Sequence, residues 1–146
     1  PATLRLEITE CTLLADLDIA LRRLEELRSL GFKLMLDDFG TGYSSMGYLS
    51  KFSIDYIKID KSFIHALEHR TNRSIVDSIV TLAKNLDLDC IVEGVETQEQ
   101  LDYVINLDCN LIQGFFYSKP MPANEIVQLA LFDATNNETV KNLNIK

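Results

Sequence analysis

Two adjacent carboxylates, Asp37 and Asp38, are the residues of this sequence best suited to chemistry. They close the apolar run 34–36, and a glycine-containing loop, residues 40–45, follows directly. Neighbouring acids repel each other, and a cation between them removes that repulsion. The pair therefore predicts a divalent-metal site at the point where a strand ends and a loop begins.

Further polar residues stand at or near the ends of other predicted strands. Parallel strands joined by helices end at one edge of their sheet, so these residues are expected to gather there. The predicted strands run from Leu4 to Thr9, Lys33 to Asp37, Ile54 to Asp60, Cys90 to Glu93 and Leu111 to Phe115. The polar residues at their ends are Glu7, Asp37, Asp38, Lys58, Asp60, Glu93 and Gln113.

Helical periodicity fills the intervals between these strands. Asn72 is expected to cap the second long helix, and Thr97 with Gln100 forms a capping-box pattern before the third. The predicted helices run from Leu17 to Leu30, from Met46 to Lys51, from about Asn72 to Leu86, from Thr97 onward, and from Pro122 to about Leu131.

The two-residue period of a strand predicts which side chains share a face. Apolar residues occupy one face and can pack on helices, while the polar set points into one shared space. Two architectures have such strands: an open doubly wound sheet, or part of a closed (β/α)₈ barrel, whose interior provides that space. The polar face holds Glu7, Asp37, Lys58, Glu93 and Gln113, opposite Leu6, Ile8, Leu36, Ile57, Ile59 and Val92.

The residue types indicate a particular chemistry. Carboxylates without histidine or cysteine ligands suit hard cations, Mg²⁺ or Mn²⁺. Two such ions about 3.5–4 Å apart can activate a water and steady the leaving oxygen in phosphoester cleavage. Lys58 could orient that water or offset negative charge on the phosphate, and Glu93 could be a general base or a further ligand.

Composition excludes several other functions. The 146 residues carry a net charge of −8, which argues against a non-specific nucleic-acid binder. No apolar run reaches the roughly 18–20 residues of a membrane-spanning helix. The cysteines, Cys11, Cys90 and Cys109, form no CxxC pair and are expected to be buried or half-buried thiols in a reducing cytoplasm.

Five segments of the chain resemble, in order, the motifs of the bacterial EAL domain. The resemblance covers residues from about 4 to 131. The segments are Leu6-Glu7-Ile8-Thr9-Glu10, Asp37-Asp38-Phe39-Gly40-Thr41-Gly42-Tyr43-Ser44-Ser45, Ile57-Lys58-Ile59-Asp60-Lys61-Ser62-Phe63, Val92-Glu93-Gly94-Val95-Glu96-Thr97 and Gln113-Gly114-Phe115-Phe116-Tyr117-Ser118-Lys119-Pro120.

The resemblance implies a (β/α)₈ TIM-type barrel that hydrolyses cyclic di-GMP to linear pGpG with two Mg²⁺ or Mn²⁺ ions. It implies that the region after Asp38 couples the site to homodimerisation. By motif match, Glu7, Asp37 and Asp38 are metal ligands, Glu93 is a ligand or the general base, Lys58 holds the catalytic water, Gln113 and Pro120 face the substrate, Glu10 braces the loop after Asp38, and Asp60 and Glu96 are supporting residues.

The sequence departs from the family in one major respect: the Glu-Ala-Leu motif and the asparagine-bearing strand after it are absent. Two smaller departures, Val92 in place of alanine and Met46 in place of leucine, are conservative. We therefore interpret residues 1–131 as the C-terminal part of the domain, about five βα units of a partial barrel, and residues 132–146 as a polar, flexible tail. The activity is expected of the parent protein, with a sensor or cyclase (GGDEF) domain upstream, and not of the isolated chain.

Two alternative functions are compatible with some of these residues. A degenerate domain could bind cyclic di-GMP as a sensor without cleaving it. A phosphoacceptor receiver domain also uses an acid pair, a lysine and a five-stranded parallel sheet. The receiver fold places its acid pair at the first strand, whereas Asp37 and Asp38 end the second, so this alternative fits less well.

Overall fold

Five parallel strands form one sheet in the part of the chain that the computed structural model describes, residues 4–41, 49 and 51–126. Their order in the sheet is their order in the chain, the arrangement of a barrel wall, whereas a doubly wound sheet reverses direction. The elements are β1 (Arg5–Thr9), α1 (Glu10–Ala15), α2 (Leu17–Ser29), β2 (Lys33–Phe39), β3 (Tyr56–Ile59), α3 (Lys61–His65), α4 (Arg70–Asn85), β4 (Asp89–Glu93), α5 (Gln98–Asn106) and β5 (Leu111–Gln113).

The strand register confirms the predicted division of the sheet into two faces. Residues paired across neighbouring parallel strands point to the same side. The register therefore places all five predicted polar residues on one face. The pairs that establish this are Glu7 with Met35, Thr9 with Asp37, Met35 with Tyr56, Lys58 with Ile91, and Glu93 with Gln113.

The opposite face of the sheet carries the main hydrophobic core. Leu34, Ile57, Ile59 and Val92 are fully buried there. Helix α4 contributes to the same cluster with residues including Val76. Each such side chain stabilises the fold by roughly 1.5–3 kcal/mol through removal of apolar surface from water. The helices therefore bind to one face and leave the polar face pointing the other way.

A smaller apolar cluster lies on the polar face itself. Met35, Tyr56 and Ile91 are buried together, and Leu111 packs against them. Each of the four stands two residues before a polar residue on the same strand, namely Asp37, Lys58, Glu93 and Gln113. Since residues i and i+2 of a strand share a face, the polar groups form a layer directly above an apolar layer.

Several predicted boundaries differ from the structure. Strand β5 ends at Gln113 and not at Phe115, because the chain turns at Gly114 and Phe116 N–H donates to Val95 O at 2.9 Å. Strand β2 continues to Phe39. The short helices α1 and α3 were not predicted, since each has too few residues to show a period.

The expected cap of α4 is wrong. His69 is the N-cap residue, and Asn72 lies inside the first turn. The Asn72 side-chain amide instead donates to Ala66 O at 3.0 Å, so it binds the preceding turn. The capping box of Thr97 and Gln100 is confirmed.

Two further predictions concern segments with little or no description. Of the helix predicted from Met46 to Lys51, residues 46–48 and 50 lie outside the described residues, and Leu49 is helical. Residues 123–126 are helical directly after Pro122, while the continuation to Leu131 and the tail 132–146 lie outside the described residues. In the described part, no helix has the length and apolarity to cross a membrane.

An ion-pair cluster ties the amino-terminal ends of the strands together around Asp55. Its carboxylate accepts hydrogen bonds from the Lys33 ammonium and, at 3.0 Å, from Leu34 N–H, and Arg28 lies 4.0 Å away. Burial by itself would raise the pKa of Asp55. The hydrogen bonds and the charges of Lys33 and Arg28 outweigh burial and lower the pKa below its usual 3.8.

Replacement of Asp55 by asparagine is expected to lower the free energy of unfolding by about 2 kcal/mol at pH 7, because a charged hydrogen-bond acceptor is lost. A lowered carboxyl pKa stabilises the fold above the unfolded pKa, and this contribution disappears as the pH falls through the folded pKa. The difference from wild type should therefore vanish well below pH 3.8. Urea denaturation across pH measures it, with exposed Asp87→Asn as control. A difference independent of pH would contradict the assignment.

Candidate active site

The Lys58 ammonium lies at the centre of three carboxylates from three different strands. Its Nζ is 2.7 Å from Glu93 Oε1, 3.0 Å from Glu7 Oε1 and 3.0 Å from Asp37 Oδ1. These residues come from β1, β2 and β4, and Lys58 from β3 between them. The fold therefore brings together residues separated by up to 86 positions in the sequence, the distance from Glu7 to Glu93 (93 − 7).

Lys58 is buried, with 4% of its surface exposed, whereas its three partners are open to solvent to different degrees. The side chains of Asp37 and Glu93 are 20% and 18% exposed, and that of Glu7 is 48% exposed. Burial alone would lower the pKa of Lys58, but hydrogen bonding and charge from its carboxylate partners, Glu93 foremost, raise the pKa well above its usual 10.5. Lys58 is thus a permanent cation at neutral pH.

The two members of the acid pair have different environments. Asp37 faces Lys58, whereas Asp38 is exposed and has a left-handed backbone, with φ of 56°. The register between β2 and β3 shifts at this point, between Leu36 and Phe39. A bulge re-aims side chains at the end of a strand, and aspartate tolerates the left-handed region better than most residues. Local backbone geometry therefore turns the adjacent acids in different directions.

Helix α3 lies against the loops that follow β2 and β4. A Cβ added at Gly40, after β2, would lie 3.2 Å from the Phe63 ring. A Cβ at Gly94, directly after Glu93, would lie only 2.4 Å from Lys61 Cβ. Both glycines also have positive φ, 93° and 73°. The chain passes α3 so closely on both sides that the ends of β2 and β4 are fixed relative to each other.

Gln100 braces the loop after Glu93, a role that its place in a capping box did not reveal. Its Oε1 accepts from the backbone N–H groups of Glu96 at 2.8 Å and Thr97 at 3.1 Å. Its Nε2 donates to Ile64 O of α3 at 3.2 Å. One side chain thus connects the Glu93 loop, α5 and α3. The sequence signal was limited to the capping pattern, because the partner in α3 lies 36 residues away.

The remaining predicted residues surround this group without joining the Lys58 cluster. Asp60 caps α3 by accepting from Ser62 N–H at 2.9 Å. Glu96 lies 3.5 Å from His65 Nε2 of α3. Glu10 is buried at the start of α1, directly after β1. Gln113 ends β5, and Pro120 is exposed in the segment that follows.

The donor set at this edge matches a hard cation in residue type but not in spacing. The side chains that converge offer carboxylate oxygens, the ligands Mg²⁺ and Mn²⁺ prefer, and they already enclose one positive charge. Among the described residues, no three acidic, histidine or cysteine side chains lie close enough to hold an ion on their own. The ammonium of Lys58 is the cation that these carboxylates enclose.

Fold and site together define a (β/α) barrel wall whose carboxyl edge is acidic and encloses the Lys58 ammonium. The family model of the EAL domain matches residues 1–120, and the chain belongs to this family. The resemblance drawn from the motifs is confirmed, and so is the α/β fold, a partial barrel of parallel strands.

The chain is similar to curated and solved EAL proteins over most of its own length. It is 43% identical over 128 residues to the bifunctional diguanylate cyclase/cyclic di-GMP phosphodiesterase MucR of Pseudomonas aeruginosa, covering 87% of this chain and 19% of MucR. It therefore spans about a fifth of that relative.

Two solved structures extend the comparison. The PaMucR phosphodiesterase in complex with cyclic di-GMP superposes with a TM-score of 0.83 at 43% identity, over 86% of this chain and 51% of that one. A manganese and cyclic di-GMP complex of Klebsiella pneumoniae BlrP1 gives a TM-score of 0.73 at 35% identity, over 80% of this chain and 30% of that one.

Proposed function

We propose that this chain forms part of the active site of a phosphodiesterase that hydrolyses cyclic di-GMP to linear pGpG. The observation that carries the proposal is the cluster of Glu7, Asp37 and Glu93 around Lys58 at the carboxyl edge of the sheet. The similarity to MucR, a named cyclic di-GMP phosphodiesterase, supports this substrate. In this proposal, hydrolysis depends both on these three carboxylates and on the buried Lys58 ammonium.

Glu7, Asp37, Asp38 and Glu93 are the residues that would hold Mg²⁺ or Mn²⁺. Bound there, the ions would supply Lewis-acid activation of water and of the phosphate. The manganese complex of BlrP1 supports the choice of a divalent cation. Because Asp38 is exposed at the end of β2, it can turn toward the edge without displacing the core.

Lys58 has two tasks in this proposal. Its ammonium neutralises the carboxylates, and it donates hydrogen bonds to the attacking water or to a phosphate oxygen as negative charge develops. Glu93, whose Oε1 lies 2.7 Å from Nζ, either receives the proton of that water or serves as a ligand. Gln113 and Pro120 contact the dinucleotide, and Glu10, Asp60 and Glu96 hold the loops around the edge.

Partners of the chain follow from the same proposal. Cyclic di-GMP is the ligand, and a second copy binds through the region after Asp38, most of which lies outside the described residues. An upstream sensor or cyclase (GGDEF) domain would control the site in a cytoplasmic protein. MucR, named as bifunctional, supports a multidomain parent.

The test is product formation by the protein that carries this chain together with the rest of the barrel. With Mn²⁺ and cyclic di-GMP, chromatography should detect linear pGpG, and chelation of the metal should stop its release. Calorimetry that detects cyclic di-GMP binding without any pGpG would favour the sensor alternative. Absence of both binding and turnover would overturn the proposal.

A further inference from the structure

The side chain of Gln100 connects the segments that follow β3 and β4, two neighbouring strands of the candidate active site. It is half-buried in the first turn of α5. Its Oε1 accepts hydrogen bonds from the Glu96 and Thr97 N–H groups after β4, and its Nε2 donates to Ile64 O in α3, the helix after β3. A capping box uses only the acceptor oxygen at this position, so glutamate serves as well as glutamine. The bond from Nε2 to Ile64 is therefore additional to capping.

Ile64 gives this connection a rigid end. Its side chain is fully buried in the main core, with 0% of its surface exposed. Helix α3 is also fixed to the end of β3, because the Asp60 carboxylate accepts from Ser62 N–H at 2.9 Å. Lys58 stands on β3 six residues before Ile64 (64 − 58). The acceptor of the Gln100 amide is thus firmly joined to the strand that carries the ammonium.

The other end of the connection lies close to Glu93. Glu96 stands three residues after it (96 − 93). Between the two, Val95 is fully buried, and its N–H donates to Gln113 O at 3.3 Å, which attaches the loop to β5. Gln100 attaches the same loop on the opposite side, toward β3. The loop is therefore held between the two strands that flank β4.

Two further contacts between this loop and α3 act differently from the hydrogen bond. Glu96 Oε1 lies 3.5 Å from His65 Nε2, but both side chains are 44% exposed, and exposed pairs of this kind contribute little. Gly94 packs against Lys61 so closely that an added Cβ would lie 2.4 Å from Lys61 Cβ. This packing prevents the loop from moving closer to α3. The bond from Gln100 Nε2 is what prevents it from moving away.

We propose that Gln100 is a positioning residue, whose amide holds Glu93 close to Lys58 during cyclic di-GMP hydrolysis. This inference rests on the proposed function of the edge. The contact that Gln100 controls is the shortest ion pair of the cluster: Glu93 Oε1 lies 2.7 Å from Lys58 Nζ, against 3.0 Å for the other two carboxylates. Without the Nε2 donor, the loop after β4 moves away from α3, and this contact lengthens. A displacement of about 1 Å at a reacting group lowers the rate by up to about 100-fold.

Two substitutions separate positioning from capping in the protein that carries the whole barrel. Gln100→Glu retains an oxygen for the Glu96 and Thr97 N–H groups, and its negative charge suits the start of a helix. It replaces the Nε2 donor, however, with a second oxygen, which repels Ile64 O. Thr97→Ala does the reverse, because it removes the hydroxyl that accepts from Gln100 N–H at 3.3 Å and leaves the amide connection in place.

Opposite results are expected from the two variants. Gln100→Glu should lower kcat at least about 10-fold, with KM within about twofold of the wild-type value. Thr97→Ala should keep kcat within about twofold and lower the melting temperature by about 3 °C. Hydrogen exchange followed by mass spectrometry should show faster exchange in residues 94–97 of Gln100→Glu than of wild type, because the loosened loop opens more often.

Gln98→Ala is the matched control for this experiment. Gln98 lies in the same helical turn, and its amide donates to Asp102 Oδ1 at 2.7 Å. This variant should match wild type in kcat and in hydrogen exchange. A kcat for Gln100→Glu equal to that of Gln98→Ala would overturn the positioning role, while wild-type hydrolysis would still support the proposed function. An equal loss of kcat in Thr97→Ala would also overturn it, because capping would then explain the effect. Wild-type protein that releases no pGpG would overturn both.

Discussion

Replacing Lys58 by methionine is expected to lower the free energy of unfolding by about 3 kcal/mol at pH 7. In the protein that carries the whole barrel, the same change should reduce the rate of cyclic di-GMP hydrolysis at least about 100-fold. Methionine keeps the length of the side chain but removes the charge. Glu7, Asp37 and Glu93 would then repel one another with no cation between them. Removing one partner of a buried ion pair costs far more than the pair contributes, because the other charges remain.

The pH dependence of this loss has a definite sign. A group whose pKa is raised on folding stabilises the fold fully below its unfolded pKa, and the contribution disappears as the pH rises through its folded pKa. The pKa of Lys58 is raised above 10.5. Its contribution is therefore constant from pH 6 to 9 and diminishes only in stronger alkali. Guanidinium denaturation at several pH values measures the difference between wild type and Lys58→Met.

Lys84→Met is the matched control for this experiment. Lys84 also pairs with a carboxylate, Asp108, but both side chains are largely exposed, at 51% and 83%. Such surface pairs contribute little, so this variant should keep wild-type hydrolysis and nearly wild-type stability. A Lys58→Met protein as stable and active as Lys84→Met would show that the buried ammonium does not organise the carboxylates.

Replacing Gly114 by alanine is expected to lower the free energy of unfolding by about 4 kcal/mol or more. A Cβ at this position would lie 2.0 Å from Val95 O and 2.5 Å from Val95 N, both backbone atoms that cannot rotate away. The turn encloses Val95 through two hydrogen bonds, Val95 N–H to Gln113 O and Phe116 N–H to Val95 O. The added methyl group must force this turn open.

Opening this turn is expected to disturb two strands of the candidate active site, β4 and β5. Val95 lies two residues after Glu93, and Gln113 directly precedes Gly114. Gly114→Ala should therefore lower the denaturation midpoint and also weaken hydrolysis in whatever folded protein remains. Ser118→Ala, an exposed change in the same segment, should have little effect on either quantity. A midpoint for Gly114→Ala equal to that of Ser118→Ala would refute the close approach.

Much of the candidate active site could be predicted from sequence because strands have a strict two-residue period. That period alone assigns Glu7, Asp37, Lys58, Glu93 and Gln113 to one face, and the register confirms it. The boundaries were less accurate. Strand β5 ended early because Gly114 turns against Val95, and that contact joins residues 19 positions apart (114 − 95), beyond the range of local periodicity.

The sequence by itself determined which chemical groups are present, carboxylates and one lysine, and predicted the parallel sheet that aligns them. Only the tertiary structure decided which groups meet. It placed the Lys58 ammonium between three carboxylates, turned Asp38 away from Asp37 and connected Gln100 to α3. The physical reason is that strand register and the paths of loops determine contacts between distant residues, whereas residue type and period determine only which face each side chain occupies.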